Sequence, residues 1–271
     1  MRERLNILVH SEPKSGKTTF AVRRNPGVLV MDTEGSSKFV RGVKREIVKE
    51  MSQMDNVLAR IKSGEVNLVV IDTLDELVNN FAKEEVRRKG GDYVYKGQLT
   101  QPGWGLMRDR FLTLTRSYRD AGADVLTLCH SELVEKPNAG KKWTMKLPSD
   151  YAREVMGMMD LIGFLEVHRN ADGTQVRRMN FEKTPMYDAG SRSVYDAATD
   201  KFYRIVPASI DDPALVDVLK AYDDFFDGKN EGFALKCVNC AKKGVDADAK
   251  EEIDGGQYCP TCAAKYRELK K

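Results

Sequence analysis

Leu5–Phe20, LNILVHSEPKSGKTTF, settles the architecture of this 271-residue chain. Leu5, Ile7, Leu8 and Val9 predict a short apolar strand, Ser11 to Gly16 a turn, and Lys17, Thr18 and Thr19 the start of a helix that continues through Ala21 and Val22. Strand, turn and helix in that order make a phosphate-binding loop. Backbone N–H groups from Lys14 to Thr18 converge on an anion at the helix N-terminus, the Lys17 ammonium reaches the β- and γ-phosphates, and the Thr18 hydroxyl ligates Mg²⁺. The nucleotide contacts expected here are Ser11, Pro13, Lys14, Ser15, Gly16, Lys17, Thr18 and Thr19. The pattern G-x-x-x-x-G-K-[ST] is met except at its first position, where Ser11 replaces glycine; a serine fits if its φ is negative. A chance Gly-Lys-Thr in a surface turn is the plain alternative, and it leaves the flanking strand and helix unexplained.

Composition is that of an ordinary globular chain, 41% hydrophobic and 31% charged, long enough for one α/β core and a small appendage. No run approaches the roughly 20 apolar residues of a membrane span, and MRERLNILVHSE lacks the apolar region of a secretory signal. A cytoplasmic location with no membrane partner is therefore expected. The formal charge of +3 is too small to indicate a nucleic-acid partner, so any such reading rests on local clusters.

Cys237-x-x-Cys240 and Cys259-Pro-Thr-Cys262, separated by eighteen residues, are a second signal. Two such knuckles close a tetrahedral thiolate cage around Zn²⁺, and a module of about 35 to 40 residues is too small to hold a core without a staple. A pair of disulfides is the alternative, disfavoured in a cytoplasmic chain. The fifth cysteine, Cys129, lies in an apolar run and reads as a buried small hydrophobe.

After an Asn25-Pro26-Gly27 turn, Val28 to Met31 predict a strand ending in Asp32, Thr33 and Glu34. Ligands of open α/β sheets lie beyond the carboxyl ends of strands, so Glu34 can face a γ-phosphate and polarise the attacking water; alternatively, Asp32 and Glu34 cap the next segment. Met54, Val57, Leu58 and Ile61, stopped by Gly64, predict an amphipathic helix. Leu68 to Ile71 predict a buried strand that delivers Asp72, a carboxylate to hold Mg²⁺. A helix carrying Leu77, Val78, Phe81 and Val86 follows, and RRKGGDYVYKGQLTQPGWG reads as a long mobile loop. Its basic and aromatic residues, Lys89, Tyr95 and Lys96 among them, suit single-stranded nucleic acid through phosphate pairing and base stacking, or are simply solvated. The next helix is expected from Leu106 or Met107 to near Gly122.

ADVLTLCHSE predicts a buried strand terminating in His130, which either senses a γ-phosphate or is a hydrogen-bonded histidine at a strand end. Lys136, Lys141, Lys142 and Trp143 in the Gly- and Pro-containing segment beyond it make a second candidate nucleic-acid loop. A helix around Tyr151 to Gly157, a strand LIGFLEVHR, a turn at 170–173 and a strand QVRRMNFEK predict a late antiparallel hairpin. Lys183, just past it, is either a surface residue or one that reaches a neighbouring subunit's nucleotide. Asp212-Pro213 opens an amphipathic helix, with proline at the first helical position, and a polar linker from Asp227 to Gly232 leads to the cysteines.

With these residues in place, the stretch from Leu5 to about Pro185 resembles the RecA-type ATPase core, particularly the short, core-only versions of bacteriophage genomes associated with single-strand annealing and recombination. SEPKSGKTT looks like that family's Walker A motif, MDTEGS like the strand ending in its catalytic glutamate, NLVVIDTLDEL like Walker B, and ADVLTLCHSE like the strand that carries a polar γ-phosphate sensor. His130 stands where the best-known members carry glutamine. The segments before Trp104 and after His130 fall where the family places its two DNA-binding loops, and QVRRMNFEKTP is similar to its late strand, whose lysines act across a subunit interface.

The resemblance implies an α/β, RecA-like P-loop NTPase, with a mostly parallel sheet, helices on both faces and a late antiparallel hairpin, plus a small C-terminal zinc-ribbon-like module. The expected segments are 1–210 for the ATPase domain, 211–232 for the helix and linker and 233–271 for the zinc module. The expected function is that of an ATP-hydrolysing, single-stranded-DNA-binding protein of phage recombination, annealing or replication in the bacterial host, with ATP, Mg²⁺ and Zn²⁺ as cofactors. Lys17, Glu34, Asp72 and His130 are the catalytic candidates. The rival is a nucleotide-binding adaptor with little hydrolysis that recruits a single-strand-binding or other replication protein through the zinc module. A small-metabolite kinase is a third reading, without the closely spaced arginines of a lid, and assembly into a homo-oligomer is left open.

Overall fold

A computed structural model describes residues 3–136, 140–170, 172–235, 240, 249, 251–253 and 256–269. The chain begins β1 (Asn6–Ser11), α1 (Lys17–Val22), β2 (Leu29–Asp32), a 3₁₀ turn (Ser36–Phe39), β3 (Lys44–Ile47), α2 (Met51–Lys62) and β4 (Leu68–Asp72). It continues through α3 (Leu74–Glu76), a π-helical stretch (Leu77–Ala82), α4 (Lys83–Lys89), β5 (Val94–Tyr95), β6 (Gln98–Leu99) and α5 (Gln101–Asp120). Then come β7 (Asp124–Lys136), β8 (Gly140–Met145), α6 (Ser149–Met158), β9 (Leu161–Arg169), β10 (Gln175–Asn180), β11 (Gly190–Ser191), β12 (Val194–Asp196), β13 (Lys201–Arg204), β14 (Ser209–Asp211) and α7 (Leu215–Phe226). β15 (Phe233–Ala234), β16 (Glu251–Ile253), β17 (Gly256–Tyr258) and a last helix, α8 (Pro260–Leu269), follow.

The main sheet has the order β14-β10-β9-β1-β7-β4-β2-β3, with β8 added to β7. β3, β2, β4, β7, β1 and β9 are mutually parallel, and β10 and β14 continue the sheet in antiparallel sense. β1, β2 and β4 are buried along their whole length, as strands covered on both faces must be, and this is why each carries a continuous apolar stretch, with polar residues at the ends. Helix α2, started by a capping box between Glu50 and Gln53, buries Met51, Met54, Val57 and Ile61; α5 buries Met107, Phe111, Leu114 and Tyr118. Register brings Asp32, Asp72, Leu128 and Val9 into one transverse row, with Ser11 and His130 paired two residues further on. The carboxyl ends of β1, β2 and β4, with His130 of β7 between β1 and β4, thus form one rim.

Two segments expected to be loops are ordered hairpins. In 87–105, α4 runs to Lys89, β5 and β6 pair, and α5 starts at Gln101 rather than near Leu106. The Pro and Gly that suggested a loop sit in the first turn of α5, where Pro102 costs nothing and the Thr100 hydroxyl accepts from the Gly103 N–H. Gly103 is required there, because a Cβ would lie 2.3 Å from the Tyr93 carbonyl oxygen. Leu99 is buried, and Trp104 packs against the core. Beyond the sheet rim, β7 does not end at His130 but runs on to Lys136, paired antiparallel with β8 through Leu133 and Trp143. Helix α7 begins at Leu215, two residues after Pro213.

Residues 3–190 with 208–218 form one compact unit, and 191–207 with 219–271 another. The units interleave in sequence because β13 pairs with β15, while β14 returns to the main sheet beside β10. The second unit contains the sheet β12-β13-β15, the hairpin β16–β17 and α8. Among the described residues, no helix is long and apolar enough to cross a membrane.

Candidate functional site

Gly16 precedes α1 with φ +102°, a value that favours glycine, and a Cβ on it would meet Arg177 Nε at 2.4 Å. Arg177, on β10, donates from Nε to the Ser15 carbonyl at 3.1 Å and so braces the loop from outside. Inside, Ser11 and Ser15 hydrogen-bond through their hydroxyls, which gives the serine at the first motif position a role in closing the turn. Lys17 is buried, with Nζ 3.3 Å and 3.1 Å from the carbonyl oxygens of Ser11 and Glu12. Burial pushes its pKa down, opposed by the charge of Asp72. Pro13, Lys14 and Thr19 are exposed around the loop.

The Thr18 hydroxyl donates to Asp72 Oδ2 at 2.7 Å, and Ser36 donates to the same oxygen at 3.0 Å. Burial raises the Asp72 pKa, and these two hydrogen bonds oppose the rise. Adjacent hydroxyl and carboxylate oxygens are the hard donors that Mg²⁺ takes, so Thr18 and Asp72 fit the metal and would hold it. Asp32 is a cap: its oxygens accept from the backbone N–H groups of Glu34, Gly35 and Ser37 at 3.1, 2.6 and 3.1 Å. That capping turns the loop after β2 and releases Glu34 toward His130, with Oε1 at 3.6 Å from Nε2. Burial raises the Glu34 pKa; His130 opposes the rise, and Asp72 and Asp75 add to it.

His130 is held on its other side by Asp75, whose carboxylate is 2.9 Å from Nδ1 and 3.0 Å from the His130 backbone N. Asp75, Ser36 and Arg177 were not foreseen. Asp75 alone left a trace, as a second acid three residues after Asp72.

A further buried group, His10, sits one residue before the loop. Nε2–H donates to the Asp188 carbonyl at 2.5 Å, Nδ1 is 2.8 Å from Ser131 Oγ, and the ring lies 5.2 Å from that of Phe164. Burial outweighs the hydrogen bond to Asp188 and lowers its pKa to about 4. The unfolded chain takes up this proton near pH 6.5, so the contribution to stability is complete above that value and is lost as pH falls toward 4. The loss reaches about 3 kcal/mol. Urea unfolding at pH 7 and pH 5 should show a smaller difference for His10→Gln than for the parent chain; equal differences would refute this.

Of the nucleic-acid candidates, Lys89 and Lys141 are exposed, Tyr95 is 67% exposed, and Lys96 Nζ lies 5.3 Å from the Tyr95 ring centroid. Lys142 is instead committed to an ion pair with Asp188 at 2.5 Å. Trp143 is half-buried, its backbone N donating to the Met186 carbonyl at 2.7 Å. The backbone of Lys136 is in β7, and its side chain lies outside the described residues. Lys183 is exposed beyond β10.

In the other unit, Cys240 Sγ is 3.8 Å from the Sγ atoms of both Cys259 and Cys262. Thiolates about 2.3 Å from a tetrahedral Zn²⁺ are about 3.8 Å apart, whereas a disulfide needs about 2.05 Å. The three cysteines therefore fit a metal ion and are not disulfide-bonded. Cys237 lies outside the described residues. Cys129 is fully buried, and burial pushes its thiol pKa well up, as suits an inert core residue.

A family model described as an AAA domain matches residues 3–193. No curated protein matches the chain. That match covers β1 with its phosphate loop, the Asp72 strand and the His130 strand. The chain belongs to the AAA-domain family, with the nucleotide-binding core of a P-loop ATPase and a site suited to ATP and Mg²⁺.

Proposed function

We propose that this protein is a RecA-type ATPase that hydrolyses ATP and binds single-stranded DNA in phage recombination, annealing or replication, in the cytoplasm of a bacterial host. The observation that carries the reading is the Thr18–Asp72 hydrogen bond of 2.7 Å at the phosphate loop, with Glu34 and His130 on the same rim. The order β2-β4-β7-β1, with β7 between the Asp72 strand and the loop strand, and the antiparallel β10 and β14, support the RecA type.

Lys17 neutralises the β- and γ-phosphates, and Thr18 and Asp72 would hold the metal. Mg²⁺, when bound, offsets charge at the phosphates. Glu34, made more basic by burial, orients water and takes its proton, so the rate comes from position and electrostatics. The exposed cation and aromatic on the β5–β6 hairpin, with Lys141 and Trp143 on the β7–β8 hairpin, support contact with single strands. Lys183 serves a neighbouring subunit in an oligomer, and Cys237 with Cys240, Cys259 and Cys262 binds Zn²⁺.

The cysteine cluster favours a second reading, an adaptor that binds ATP, hydrolyses little and recruits a replication protein. Steady-state hydrolysis with and without single-stranded DNA separates them. The first reading expects turnover that rises with DNA and falls by about 10²- to 10⁴-fold in Glu34→Gln, with ATP binding retained. Tight binding without turnover in every condition would transfer the assignment to the adaptor.

A further inference from the structure

Resting on the hydrolytic reading above, we propose that Asp75 is a positioning residue. It holds His130 as the Nδ1–H tautomer, so that unprotonated Nε2 faces Glu34 and receives the proton that Glu34 takes from the attacking water. Asp75 is 1% exposed at the start of the helical segment after β4, and each of its oxygens accepts one bond from His130. Oδ1 takes the backbone N–H at 3.0 Å and Oδ2 the ring Nδ1–H at 2.9 Å. Two bonds to two parts of one residue fix both the position of the strand end and the rotation of the ring.

A carboxylate can only accept, so the nitrogen facing Asp75 must carry hydrogen, and in the neutral ring the other nitrogen is then a lone-pair acceptor. That other nitrogen lies 3.6 Å from Glu34 Oε1. The gap is about 0.7 Å beyond a hydrogen bond, within reach of a side-chain adjustment by partly exposed Glu34 as the site tightens on substrate.

Burial alone would raise the Asp75 pKa, but the hydrogen bonds it accepts from the His130 ring and backbone hold it below the usual carboxylate range, so the acceptor is anionic in the folded protein. Lys17 and Asp72 are the other charged groups that act on the Glu34 end of this chain. The step balances. As the water oxygen bonds the γ-phosphorus and the bond to the ADP oxygen breaks, the water proton moves to Glu34. It then passes to Nε2 and leaves to solvent, restoring both side chains. The imidazolium formed in between is neutralised by Asp75.

Only three histidines are present, so the imidazole nitrogens of ¹⁵N-labelled full-length protein are readily assigned by long-range ¹H–¹⁵N correlation. The parent chain should show His130 protonated at Nδ1. Asp75→Asn should shift it to the Nε2–H form or a mixture, and should lower kcat about a hundredfold with KM for ATP within about twofold. Asp75→Glu should recover part of kcat. An Nε2–H ring in the parent chain, or an Asp75→Asn variant with parental kcat, would overturn the proposal. If Asp75→Asn does not fold, the parent spectrum and Asp75→Glu decide. If the parent chain hydrolyses no ATP, the hydrolytic reading and the proton transfer fall together, while the tautomer spectrum still decides the positioning role.

Discussion

Lys17→Ala is expected to remove nucleotide turnover, by at least about 10²- to 10³-fold, while leaving the melting temperature of the core unit unchanged or higher. The ammonium is buried and turned into the loop, where its contacts are the carbonyl oxygens of Ser11 and Glu12. A charge in that position does little for the fold. Burial pushes its pKa down, which means the charged form is held at a cost, offset in part by Asp72. The same charge is what the β- and γ-phosphates require as the bond between them breaks, so its loss falls on the transition state. Retained ATP hydrolysis in Lys17→Ala, measured alongside thermal melting, would remove the assignment of Lys17.

Metal removal should have the other large effect, confined to the second unit. Three sulfur atoms at the spacing of a tetrahedral zinc cage sit in a unit whose described residues offer, besides the end of α7 from 219 to 226, two-stranded β16–β17, the short sheet β12-β13-β15 and α8. So few apolar contacts cannot replace a structural ion, whose binding in small zinc modules contributes roughly 10 kcal/mol or more to folding. Colorimetric titration should release one zinc per chain. Chelation, or Cys259→Ser, should strip amide-exchange protection from β16, β17 and α8 and leave β1, β4 and β7 protected. Unchanged protection after chelation would show that the cysteines are not a folding centre.

The phosphate loop and the parallel strands β1, β2 and β4 could be read directly, because a strand buried on both faces carries an apolar run that needs no partner to be recognised; β7 up to His130 and the β9–β10 hairpin were legible from their own apolar stretches and the turn at 170–173. The hairpins could not. In β7 beyond His130, Leu133 and Val134 are 46% and 37% exposed, so burial leaves no alternation to read, and pairing with β8 supplies the order. Asp75, Ser36 and Arg177 reach the site from a helix, a 3₁₀ turn and a distant strand. Their roles exist only after the chain has closed, and apart from the acid spacing of Asp72 and Asp75 no local pattern announces them. The interleaving of the two units has the same origin, a β13–β15 pairing of Tyr203 with Ala234 and Arg204 with Phe233.

The unbroken course of β7 through the sheet rim has a mechanical consequence. From His130 to Lys136 the strand projects about 20 Å at ~3.3 Å per residue, stiffened along that length by its ladder to β8. Its root is clamped at His130 by Asp75. A ribbon of that length is a lever: a tilt of about 5° at its root would carry the far end by nearly 2 Å.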